Sequence, residues 1–221
     1  MKKEELRHDP IRENIVKGVQ YFSENTSTVL QILAVVVLAV GGLSYYSHTG
    51  NIKMESASHL AGRAQNIFIN GNLDEAIVKF ERVLADYPNT PGAAQSLVYL
   101  LNDAMTKNDI IEMKRLLNEN DGSINDSHVL AALYKLQGDI ALTETDFSNA
   151  LKYFKKAENI AIGNPFQIAF QIDIVSTLLA QNNYTNALQI LEEIIDDEGS
   201  GINEKNIAEE LLAYTKQKIG I

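Results

Sequence analysis

No cysteine occurs in the 221 residues, so disulfides, zinc–thiolate centres and a lipid-bearing cysteine are all excluded. The histidines offer no substitute. His8, His48, His59 and His128 have neither His-x-x-x-His spacing nor an acidic partner in register, and they read as surface or loop residues. No glycine-rich phosphate loop is present, because Gly41-Gly42 lies inside an apolar run and not between a strand and a helix. Asp196-Asp197-Glu198 and Asp121-Gly122-Ser123 lack the alternating ligand spacing of a calcium loop and read as solvated turns. A nucleophile–base constellation is also missing. The chain is therefore expected to catalyse nothing, to need no cofactor and to bind no metal.

Basic residues are outnumbered, 19 to 29, for a net charge of −10. Residues 1–28 hold five bases and five acids, so the whole excess falls in 47–221, with 14 bases against 24 acids. An acidic domain without a basic patch is a poor ligand for nucleic acid or anionic lipid. Proteins are the expected partners.

Charge is absent altogether from Val29 to Tyr46, where Gln31 is the one amide. Eighteen helical residues rise about 27 Å, close to the ~30 Å hydrocarbon core of a bilayer. A buried core helix would need a polar stripe, which this run does not offer, so 29–46 is expected to be a transmembrane helix. A secretory signal reaches its cleavage site within about 30 residues. Here 28 residues precede the run, which continues past Ala39-Val40-Gly41 into Leu43 and Tyr45, so a retained signal anchor is favoured. Lys2, Lys3, Arg7, Arg12 and Lys17 lie before the run, with only Lys53 and Arg63 soon after. The positive-inside rule then leaves the N-terminus cytoplasmic and the large domain translocated.

What the remainder does have is a period. Gly71-Asn72-Leu73-Asp74-Glu75-Ala76, with Phe80 beyond it, recurs at shifts of 37 residues. The copies are Asn108 to Met113 with Leu117, Thr145 to Ala150 with Phe154, and Asn182 to Ala187 with Leu191. The template predicts a polar turn, an apolar plug, a small residue at a helix crossing and a large one on the same face. Before each turn runs a second amphipathic stretch: Leu60, Ala64, Ile67; Leu97, Leu101, Ala104; Tyr134, Gly138, Ala141; Val175, Leu178. No useful strand alternation appears, so the class is all-α.

These residues resemble the tetratricopeptide repeat. The third copy matches best, with Tyr134, Gly138, Ala150, Phe154 and Ala157, and the first matches with Leu60, Ala64, Ala76, Phe80 and Pro88. The second departs, with Met113 and Leu117 where Ala and Phe are expected. The resemblance implies a helical-hairpin solenoid of about four repeats over 55–202, after a linker at 47–54. Asn203 to Ile219 reads as a capping helix within 203–221, since an end repeat needs a polar cover.

The order of parts carries a second resemblance. Ile11, Ile15, Val19 and Phe22 share one face of a short amphipathic stretch ending in Tyr21-Phe22-Ser23-Glu24-Asn25, and the apolar run and the repeats follow. This layout is similar to the ancillary SecYEG translocon subunit family (the YfgM type). That resemblance implies help for newly exported proteins at the Sec translocon of the bacterial inner membrane. The implied partners are translocon subunits, a membrane-anchored periplasmic chaperone and exported client chains. The alternative is a structural scaffold that organises an envelope complex, such as cell division or outer-membrane assembly.

In the tetratricopeptide family the first helix of each pair lines a concave groove. Here that places Gln65, Asn102, Asp139 and Ser176 in one row, with Lys135 one turn before Asp139 and Phe68 in the first repeat. One lysine beside one aspartate does not make a carboxylate clamp, so the expected ligand is an extended or partly folded chain.

Overall fold

The protein is described by a computed structural model over residues 26–163, 166–197 and 199–220. The chain divides into two compact units, Met1–Ile52 and Lys53–Ile221. Residues 1–25, with the amphipathic stretch expected there, lie outside the described residues, as do most side chains of the expected span. Within that span Val35, Val36, Val37 and Leu38 are described, and all are at least half exposed. Among the described residues no helix is long and apolar enough to cross a membrane.

Every described element is a helix. In chain order these are α1 (Thr26–Ile69), α2 (Leu73–Asp86), α3 (Pro91–Thr106), α4 (Ile110–Glu119), α5 (Ser127–Thr143), α6 (Phe147–Ile160), α7 (Gln167–Ala180), α8 (Tyr184–Asp196) and α9 (Ile202–Ile219). The linker expected at 47–54 is instead helical, inside α1. That stretch holds no proline, and its one glycine, Gly50, only weakens a helix.

The 37-residue period fixes the turns atom by atom. Gly71, Asn108, Thr145 and Asn182 all adopt the left-handed backbone, with φ of 86°, 53°, 60° and 59°. The residue after each one donates its N–H to a carbonyl five residues back: Asn72 to Ile67, Asp109 to Ala104, Asp146 to Ala141 and Asn183 to Leu178, at 2.8–3.2 Å. This is the Schellman closure of a helix C-terminus. The same residue then caps the next helix. The Asp109, Asp146 and Asn183 side chains accept from the N–H of Glu112, Asn149 and Asn186. Asn72 makes no such bond, and its side-chain amide donates to Glu75.

The second helices bury one face in common register. Ala76, Phe80 and Val83 are repeated as Ala150, Phe154 and Ala157, and as Ala187, Leu191 and Ile194, all 2% exposed or less. The degenerate copy holds the first two places with Met113 and Leu117, but Asn120 stands where the third apolar residue belongs. There α4 stops, at ten residues against 13 or 14 in α2, α6 and α8. Leu73, expected to plug the first turn, is 45% exposed, whereas Ile110, Phe147 and Tyr184 are half-buried.

Two glycines mark close helix crossings. A Cβ built on Gly92 would stand 2.3 Å from the Ala57 backbone carbon, so α3 meets α1 with no room for a methyl group. A Cβ on Gly138 would come within 2.5 Å of the Phe154 ring. At the other end α9 packs on α8 and α7, burying Ala208 and Thr215 and leaving Glu209, Glu210 and Lys218 exposed.

Candidate functional site

First helices α3, α5 and α7, with the 53–69 part of α1, carry the predicted row, and the structure splits that row into three environments. Gln65 is half-buried, its Oε1 accepting from Nε2 of Gln95 on α3 at 2.8 Å. Phe68 is drawn inward, at 5.1 Å from the Tyr99 ring and 6.4 Å from Phe80. Its work is packing, in an aromatic stack that Phe80 and Tyr99 complete at 4.7 Å. Asn102 and Ser176 are exposed, and the Ser176 hydroxyl donates back to the Ile172 carbonyl. The third environment is ionic.

Lys135 on α5 sits between two carboxylates. Its ammonium is 3.1 and 3.0 Å from the Asp139 oxygens and 3.5 Å from Oδ2 of Asp173 on α7. Burial pulls the Lys135 pKa down, but the Asp139 hydrogen bond and the charges of both aspartates outweigh it and raise the value. Burial pushes Asp173 up, and Lys135 offsets that only in part. Oδ2 of Asp173 accepts no hydrogen bond. Two carboxylates against one ammonium leave the cluster one negative charge in excess. Asp173 escaped the sequence reading, although it is the one charge in α7 and a lone acid in an apolar helix was the available signal.

Between the N-terminal halves of successive first helices the surface opens into wells. One lies between α3 and α5, about 230 Å³, and is lined by Thr90, Pro91, Ala94, Gln95 and Val129 with the polar Asn89, Asn125 and Asp126. The next lies between α5 and α7, about 370 Å³, at Ser127, His128, Ala131, Ala132 and Phe166. Each of these five positions is 37 residues beyond its counterpart in the first well. The second well is mainly apolar, with Ile160, Ala161, Ala169 and Phe170 completing it and Lys135 at its edge. No single window of sequence shows such a well, because its two walls are almost 40 residues apart.

The second helices correct one expectation. Lys152, Lys155 and Lys156 lie on α6, with the Lys156 ammonium 4.6 Å from the Tyr134 ring centre and Lys152 at 5.9 Å from Tyr153. The acidic domain thus has a local basic cluster, formed because the α6 sequence runs without an acid from Phe147 to Ala157. Among the described residues no group of three or more His, Cys, Asp or Glu is placed to hold a metal ion.

Comparison with solved structures gives the same architecture. A Podosopora anserina chain assigned as a kinesin light chain, with nearly identical TPR-like repeats, superposes with a TM-score of 0.51 at 16% identity. The match covers 76% of the present chain and 87% of that one. A point variant of those repeats gives a TM-score of 0.52 at 17% identity, covering 76% and 86%. At such identity the likeness is one of fold. No curated protein matches the chain. Residues 19–163 match the tetratricopeptide repeat-like domain family, a repeat scaffold that is typically non-catalytic and binds proteins. The chain belongs to the tetratricopeptide repeat-like domain family.

Proposed function

We propose that the first-helix face of the array holds a polypeptide, and that the N-terminal run keeps the array at the membrane. The observation that carries the first part is the pair of wells one repeat apart, on the helices that also carry the exposed Asn102 and Ser176. A surface that repeats every 37 residues suits an extended chain, whose side chains recur at regular intervals along it. The second part rests on the uncharged run 29–46 and on the exposure of Val35 to Leu38 along α1. Four consecutive apolar residues turned outward call for lipid or another helix around them.

The fuller reading places the protein at the Sec translocon of the bacterial inner membrane. The N-terminus is cytoplasmic, the repeats are extracytoplasmic, and newly exported chains pass to periplasmic chaperones beside it. Support for it comes from the charge bias around the run and from the order of parts. Two edits to the full chain test the division of labour. Replacing residues 1–46 by an unrelated span of the same orientation should abolish co-purification with translocon subunits and leave client capture intact. Asn102→Ala with Gln65→Ala should weaken client capture and leave the membrane complex. A chain that captures no exported precursor in either form, but always co-purifies with a fixed set of envelope proteins, would make it a scaffold instead.

A further inference from the structure

Resting on the reading that the first-helix face holds a polypeptide, we infer that the α5/α7 well selects what is held. Its occupant is a partner segment that presents one bulky apolar side chain with an arginine or lysine two places away. Three observations meet at this place. The well is about 370 Å³, at the lower end of the ~300–1,000 Å³ typical of ligand sites, and mainly apolar. Its counterpart between α3 and α5 is smaller and edged with asparagine and aspartate. An apolar side chain therefore gains most from leaving water in the α5/α7 well.

Charge fixes the second residue. Lys135 lies at the edge of the well and joins it to Asp139 and Asp173. The ammonium is shared between two carboxylates, of which Asp139 keeps about half of its side chain exposed and Asp173 about a quarter. A guanidinium or second ammonium laid against the exposed side of Asp139 would cancel the excess charge. An acidic segment would meet two carboxylates against one ammonium at its docking point. In an extended segment alternate side chains point the same way, so apolar and basic residues two places apart can reach the well and the cluster together.

The test uses the full chain in mild detergent and a fluorescent peptide of Ser, Gly and Asn carrying one Phe and, two places on, one Arg. Controls replace the Phe by Ala or the Arg by Glu. Fluorescence anisotropy should give the parent peptide about tenfold tighter binding than either control. Ala132→Trp and Ala169→Trp each place a large ring at the exposed rim of the well and should abolish the preference for Phe. Asp173→Asn should abolish the preference for Arg over Glu and keep the preference for Phe. Circular dichroism of each variant separates lost binding from lost fold. Equal affinity for all three peptides overturns the inference. If a reduced, unfolded polypeptide still binds under those conditions, the first-helix face keeps its general role and only the selectivity falls. Should that polypeptide also fail to bind, both readings fall together.

Discussion

Thr145 holds a β-branched side chain at φ 60°, a conformation that its period-mates leave to Gly71, Asn108 and Asn182. The left-handed region costs an ordinary L-residue roughly 1–2 kcal/mol, most of all when branched. Thr145→Gly is therefore expected to stabilise the fold by about 1 kcal/mol, read as a higher urea midpoint at unchanged slope. A lower midpoint would mean that the Thr145 hydroxyl, 2.6 Å from the Glu144 carbonyl, matters more than the backbone. The small residues should behave in the opposite sense. Ala150 is fully buried and Gly138 has the Phe154 ring against it, so Ala150→Leu and Gly138→Ala should each cost ~1–3 kcal/mol through overpacking. Gly92→Ala should cost at least as much, because the Ala57 backbone and not a ring must move. Melting temperatures unchanged within error would refute the packing register.

Asp146 and Asp173 have opposite pH signatures. The Asn149 side-chain amide and backbone N–H hold Asp146 below the ordinary carboxylate range. Its contribution is thus present above the unfolded pKa and lost as the pH falls through the depressed one. Burial raises Asp173, so its contribution is present at acid pH and lost as the pH rises through its raised pKa. Asp173→Asn should therefore raise stability at neutral pH relative to its effect in acid, whereas Asp146→Asn should show no such gain. Unfolding midpoints across the acid range, compared for the two variants, distinguish these signs.

Among the elements, α4 is the short one, and its length follows from Asn120 in the place of an apolar residue. Asn120 turns back to bond the Leu116 carbonyl, and the chain crosses to α5 by a long loop from which Ile124 is buried. Lys114 and Glu144 pair across the α4–α5 joint, but both are exposed and add little. On the far side, Asp126 starts α5 by accepting from the N–H of both His128 and Val129. Asp126→Ala should cost ~1 kcal/mol, and amide exchange should quicken first across 110–130. Uniform exchange along the array would argue against a weak joint.

How much of this was legible follows from where each signal lies along the chain. The turns and buried second-helix faces were readable because each is set within about ten residues and recurs every 37, the turn in all four copies and the full face in three. Leu73 deviated because the first repeat's plug position lies open, and a template says nothing of local exposure. Phe68 read as a groove residue because it lies near Gln65 in sequence. Its ring belongs to the Phe80–Tyr99 stack, which only the approach of three helices defines. The wells and the Lys135–Asp173 pair join residues on different helices, a full repeat apart in sequence, so no window of sequence contains them.

At the scale of the whole molecule, the repeats make one face of first helices with wells and another of second helices that exposes Val78 and Ile111. The orientation proposed for the chain predicts that protease added to spheroplasts digests residues 47–221; full protection of that domain would reverse the topology. The central claim, that the first-helix face holds a polypeptide, is tested most directly by a photo-crosslinking residue placed at single positions in cells. Asn102, Ala132 and Ser176 report on the first-helix face, and Val78 and Ile111 on the second helices. Protein adducts from the first three and none from the last two are predicted. Adducts from Val78 and Ile111 alone, or equally from all five, would contradict the account.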